Sequence, residues 1–290
     1  NAVRAFTEVG DAVIIQQPLY YPFGNIIAQN NRKLVVNELV YDGEGHYSID
    51  FDDFENKIVE NKIKLFLLCN PHNPVGRVWT RDELEKLGDI CQRHNVLVFS
   101  DEIHFDFIWK EPHHIFQEIK PEYREFTITA TAPSKTFNLA GAQQSNIFIP
   151  NEELRRKFIK EYDLTGLDEP NIFGLAATQA AYTHGDEWYE AAKKYIAANI
   201  DFAKEYIEKN IPDVKLVPTE GTYLLWLDFN KTGIQDRDLN DLLINKAKLW
   251  LDSGKIFGKA GAGFQRINVA CPRSIVEDAL GRIQRVLEQK

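Results

Sequence analysis

Three stretches of this 290-residue chain place chemically able side chains directly behind short apolar runs. Residues 64–69 lead into Asn70-Pro71-His72-Asn73-Pro74-Val75-Gly76, residues 96–100 into Asp101-Glu102-Ile103-His104, and residues 126–130 into Thr131-Ala132-Pro133-Ser134-Lys135. A fourth run, residues 11–16, adds Tyr20 and Tyr21 from the loop behind it. Ligands of an open α/β sheet sit beyond the carboxyl ends of its strands, so an amide-rich turn, a carboxylate and an amine are expected on one rim. The amine of Lys135 can form a Schiff base with an aldehyde, and the carboxylate of Asp101 can keep a pyridine nitrogen protonated so that the ring accepts electrons. With an aromatic face over the ring, that is what a pyridoxal 5'-phosphate site needs. Asparagine can donate to the ring's phenolic oxygen, and the Ser134 hydroxyl to the phosphate. Each residue alone also has a plain structural reading: a surface lysine, an aspartate capping a helix, tyrosines in a core, and a turn made rigid by prolines and glycine.

The elements that must carry these residues follow from periodicity. Residues 11–16, 32–40, 64–69, 96–100 and 126–130 read as strands, the third and fourth as short, buried-looking apolar runs. Between them, residues 50–61 carry Phe51, Phe54 and Ile58 at helical spacing, and Thr80-Arg81-Asp82-Glu83 is a capping box opening a helix with Leu84, Leu87, Ile90 and Cys91 on one face. Strand and helix in alternation predict an α/β fold with a mostly parallel sheet covered on both faces. Residues 187–209 read as a long amphipathic helix, after which the pattern changes. Residues 222–229 and 265–269 read as strands, and Ser274-Ile275-Val276-Glu277 as the cap of a last helix. The expected division is a large domain over residues 1–186 and a small α+β domain over 187–290.

Composition narrows the functional classes. A net charge of −9 without a basic cluster disfavours nucleic acid, and no apolar run approaches the roughly 18 residues of a membrane helix. Three scattered cysteines, Cys69, Cys91 and Cys271, point to a reducing, cytoplasmic setting rather than a disulfide framework. No histidine or cysteine spacing suits a metal site. The cluster Gly258, Gly261 and Gly263 does not open a helix behind a buried strand, so it reads as a loop rather than a dinucleotide fingerprint. The chain holds no methionine and begins in a helical pattern, which predicts that a preceding piece lies outside this sequence.

Asn70 to Gly76, Ser100-Asp101-Glu102-Ile103-His104 and Ser134-Lys135-Thr136-Phe137-Asn138 resemble the three signatures of fold-type-I pyridoxal phosphate enzymes. His104 behind Asp-Glu-Ile, and Leu19-Tyr20-Tyr21-Pro22, resemble the branch of cystathionine β-lyases of the MalY/PatB and cystalysin type. The resemblance covers essentially the whole chain. It implies the fold of that superfamily, a mostly parallel sheet of seven-stranded type with a small C-terminal domain. By the same resemblance Lys135 carries the cofactor and acts as base, Asp101 pairs with the ring nitrogen, Asn73 bonds the phenolic oxygen and Tyr20 stacks on the ring. His104 stands where aminotransferases of this fold commonly have a tyrosine. Arg266 grips the substrate carboxylate, which suits a bidentate guanidinium, with Arg273 as its rival. The family's glycine-containing phosphate loop and an aromatic lent across the dimer interface would lie upstream of Asn1. Gln143 stands where many aminotransferases place a phosphate-binding arginine.

The implied activity is β-elimination on a sulfur-containing L-amino acid, giving thiol, pyruvate and ammonia, in a homodimer. Tyr20 or Tyr21 would orient the substrate or relay a proton near the leaving sulfur. An aminotransferase with the same lysine is the alternative, and a non-enzymatic protein that keeps the fold and binds a regulatory partner is a third reading.

Overall fold

The computed structural model describes residues 1–110, 112–166 and 170–289. In chain order its strands are β1 (Ala12–Gln17), β2 (Lys33–Glu38), β3 (Val40–Tyr41), β4 (Tyr47–Ser48), β5 (Leu65–Cys69), β6 (Leu97–Asp101), β7 (Thr127–Thr131), β8 (Asn146–Phe148), β9 (Lys215–Leu216), β10 (Leu224–Asp228), β11 (Asp252–Ser253) and β12 (Phe264–Asn268). The α-helices are α1 (Ala2–Phe6), α2 (Pro22–Gln29), α3 (Phe51–Asn61), α4 (Arg81–Arg93), α5 (Pro133–Thr136), α6 (Glu152–Leu164), α7 (Ile172–His184), α8 (Asp186–Asn210), α9 (Asp236–Asp241) and α10 (Arg273–Glu288).

Parallel neighbours need a crossover that carries the chain back to the same end of the sheet, and the helices between most of these short apolar strands supply it. The main sheet accordingly has the order β2-β1-β5-β6-β7-β8, parallel except that β8 runs against β7. Six strands form it among the described residues, where seven were expected. Leu65–Cys69 is buried along its whole length because both faces are covered. On one face Ile14, Leu68 and Val98 meet Phe54, Leu84, Leu87 and Cys91, the inward stripes of α3 and α4. On the other, Val13, Ile15 and Leu67 meet Phe23 and Ile27 of α2. Side chains so buried contribute roughly 1.5–3 kcal/mol each.

The second sheet, β11-β12-β10-β9, is antiparallel. Alternation along β10 sends Leu225 and Leu227 to a core shared with Ala203 and Ile207 of α8 and Val276, Leu280 and Ile283 of α10. It sends Trp226 the other way, onto Phe264, Phe257 and Tyr47 in the main core. The Thr80–Glu83 capping box forms as the sequence predicts. The last helix does not start as expected. Arg273 is its first residue, Pro272 fills the cap position without a side-chain bond, and Ser274 already lies within the first turn. Proline's fixed φ suits that entry, leaving no backbone position for a serine cap.

Candidate active site

Register sets the site. Cys69 pairs with Asp101 and Asp101 with Ala130, so β5, β6 and β7 end level with one another. The Asn70 N–H donates to the Asp101 carbonyl at 3.0 Å and the Glu102 N–H to the Ala130 carbonyl at 2.9 Å, extending the ladder by one residue. A cavity of about 400 Å³ opens above these ends, lined by Tyr20, Asn73, Asp101, His104, Ser134, Lys135 and Arg266 among others. Seven of the eight site residues expected from sequence therefore face one space. Tyr21 is the eighth and does not line it. It flanks the start of α2, is 42% exposed, and turns its ring toward Tyr20 and Phe257.

Lys135 is carried by α5, whose proline opens the turn and whose Thr136 hydroxyl donates to the Asp106 carboxylate. Among the described residues no hydrogen bond or ion pair engages its amine. Asp101 ends β6, and its side chain accepts from the Ile103 N–H at 3.1 Å. Burial pushes that carboxyl up to about 6; the neighbouring Glu102 charge adds to the rise, while the Ile103 N–H and Lys135 oppose it. Glu102 itself is buried among donors: Ser100 at 2.8 Å, His113 at 2.8 Å and the Phe116 N–H at 3.0 Å. His104 is buried edge-on to Tyr223 with Nδ1 unpartnered. Burial, aided by the charges of Lys135 and Arg266, lowers it to about 3, so it is neutral.

Asn73 sits in the turn behind β5, which contains cis Asn70-Pro71 and Asn73-Pro74 bonds and closes at Gly76 with φ +75°. A β-carbon at Gly76 would be strained by that φ and would stand 3.4 Å from the Thr219 backbone. Arg266 comes from the other sheet and donates Nη1 to Asn73 Oδ1 at 2.8 Å. Its other nitrogens hold Asp252, and its guanidinium lies 4.8 Å from the Phe257 ring centre. Arg273 points elsewhere, to Asn199 and the face of Phe202. Burial raises Tyr20, with Tyr21 adding to the effect, so its phenol stays protonated.

These groups fit pyridoxal phosphate. The cavity offers an amine without a partner, a half-buried carboxyl with one lone hydrogen bond, an aromatic wall in Tyr20 and a buried hydroxyl in Ser134. Because a guanidinium only donates, Asn73 must turn Oδ1 to Arg266, which leaves its Nδ2 as a donor. Sequence reasoning missed Tyr223 and Asn268, which also line the cavity, and Asp252, which orients Arg266. Tyr223, just ahead of β10, and Asn268, at the end of β12 two residues beyond Arg266, sit at strand ends, the one local signal available.

A family model described as aminotransferase class I and II matches residues 1–283. Cystathionine beta-lyase PatB of Bacillus subtilis (strain 168) is 40% identical over 287 residues, 99% of this chain and 74% of that protein. Among solved structures, cystalysin from Treponema denticola, which contains a pyridoxal 5'-phosphate cofactor, matches with a TM-score of 0.96 and 41% identity over 99% of this chain and 73% of that one. A PLP-bound putative aminotransferase from Clostridium difficile 630 matches with a TM-score of 0.94 and 46% identity, over 99% and 74%.

Proposed function

Since the chain belongs to the aminotransferase class I and II family, we propose that it is a pyridoxal 5'-phosphate-dependent carbon–sulfur lyase of the cystathionine beta-lyase type. Its substrate is an L-amino acid with sulfur at Cβ, converted with water to thiol, pyruvate and ammonia. The observation that carries the reading is the unpartnered Lys135 amine sharing one cavity with Asp101, Asn73, Tyr20 and Arg266. When bound, the cofactor supplies a cationic ring that takes up the electron pair left when the α-proton departs.

The chain's own residues do the rest. Lys135 anchors the cofactor and, once released, its Nζ removes the α-proton and can return it to the departing group. Asp101 keeps the ring nitrogen protonated, and a carboxylate held short of full solvation gains most from a cation placed beside it. Asn73 Nδ2 and the neutral His104 would hold the ring's phenolic side, and the Ser134 hydroxyl would donate to the phosphate; all three line the cavity. Arg266, braced by Asp252 and Asn73, receives the substrate carboxylate. Tyr20, protonated through burial, lines the same cavity, where it would cover the ring and serve as a proton source for the leaving sulfur.

The reading extends to assembly and layout. Exposed apolar residues at the α6–α7 end, Leu164, Ile172 and Phe173, support a homodimer. The separate core of the second sheet and the start of α8 support a large domain over residues 1–186 and a small one over 187–290. Three free, scattered cysteines support work in a reducing, cytoplasmic setting, and no helix among the described residues is long and apolar enough to cross a membrane.

An aminotransferase is the second reading, favoured by the solved Clostridium difficile protein's description. Incubating the cofactor-loaded enzyme with cystathionine and no keto acid separates the two. Steady release of pyruvate and free thiol is expected, and turnover only on addition of a keto acid would overturn the lyase assignment.

A further inference from the structure

Between the two loops that frame the cavity lies a buried histidine to which no step above assigns a role. His72 is 1% exposed, and its ring meets Trp79 edge-on with centres 5.5 Å apart. Its Nε2 lies 2.7 Å from the carbonyl oxygen of the buried Pro18. A carbonyl only accepts, so Nε2 carries the proton and donates. Nδ1 is buried and makes no hydrogen bond of good geometry, and burial, opposed by the Pro18 and Cys69 backbone, lowers the group to about 4, both in keeping with a neutral ring.

The backbone around this bond completes a frame. The Tyr20 N–H donates to the Asn73 carbonyl at 3.0 Å, the His72 N–H to the Arg77 carbonyl at 2.8 Å, and the Gly76 N–H to the His72 carbonyl at 2.8 Å. Two bonds thus join the loops, one to Asn73 from Tyr20 and one from His72 to the residue two places before Tyr20. One bond leaves a pivot, whereas two leave a fixed distance and orientation.

We propose that His72 is a positioning residue: by donating from Nε2 to Pro18 it sets the Tyr20 ring relative to Asn73 across the cavity. What those two residues hold rests on the cofactor reading above; the frame itself does not. Replacing His72 by phenylalanine keeps a ring of similar volume and leaves the Pro18 carbonyl unpaired, whereas glutamine retains a donor.

In the holoenzyme, nitrogen-15 NMR of the ring should report the Nε2–H tautomer. His72→Phe should speed amide exchange at residues 19–21, reduce the cofactor's visible circular dichroism and lower kcat/KM by roughly 10- to 100-fold. His72→Gln should recover part of all three, and His72→Phe should add little in a Tyr20→Ala background. An Nδ1–H tautomer, unchanged exchange and dichroism, or the same loss with and without Tyr20 would overturn the proposal. Should His72→Phe fail to fold, the tautomer and the exchange behaviour of His72→Gln decide it. Neither readout needs turnover, so a failed lyase assay and a failed positioning role stay distinguishable.

Discussion

At the scale of residues, Asp101 is the informative one, because its surroundings oppose the charge that the role proposed for it requires. Burial holds its carboxyl at about 6, against 3.8 for an unperturbed group. A raised carboxyl contributes stability that is complete below the unfolded value and lost as pH climbs through the folded one. At pH 7.5 the ionised group therefore weighs against the folded chain. Asp101→Asn should make the cofactor-free protein more stable at that pH by about 1–3 kcal/mol, an advantage that vanishes near pH 4. Urea titrations at the two pH values read the difference, and cofactor affinity should fall by about 100-fold in the same variant. The residues placed directly behind strands, Asn73, Asp101, Ser134 and Lys135, were legible because strand ends converge on a rim. Tyr223, Asn268 and Asp252 were not, since their approach depends on how the second sheet docks.

Elements repeat the lesson with backbone and packing. The Thr80–Glu83 capping box was readable because its partners lie three residues apart, whereas the entry of α10 went to Arg273 rather than to Ser274. Gly88 in α4 shows what local reasoning cannot see. A glycine inside a helix costs about 1 kcal/mol relative to alanine, so propensity alone favours Gly88→Ala. Here a β-carbon would fall 2.2 Å from the Tyr123 ring. That ring is pinned by its hydroxyl, which donates to the Glu85 carbonyl at 2.8 Å and lies 2.7 Å from the Asp89 carboxylate. Gly88→Ala should therefore destabilise, by about 1–3 kcal/mol in urea unfolding, while the folded fraction keeps its kcat.

For the whole molecule, the alternation of strand and helix was enough to foresee a covered, mostly parallel sheet, and the change of pattern after residue 186 a smaller α+β part; that its sheet is antiparallel was not foreseen. The reversed direction of β8 and the six-strand count were not legible, because pairing across the sheet is non-local. The active site belongs to this scale. Trp226 and Phe264 stack at 5.1 Å and pack with Tyr47 and Phe257 into a seam between the sheets, and that seam delivers Arg266 to Asn73. A lone lysine signature acquires meaning only when both sheets close on it. The central claim is that this lysine binds the cofactor covalently. Borohydride reduction of the holoenzyme, followed by proteolysis and peptide mass mapping, tests it most directly. The account predicts a reduced phosphopyridoxyl adduct on Lys135, absent together with lyase activity in Lys135→Ala; an adduct on another lysine, or on none, would contradict it.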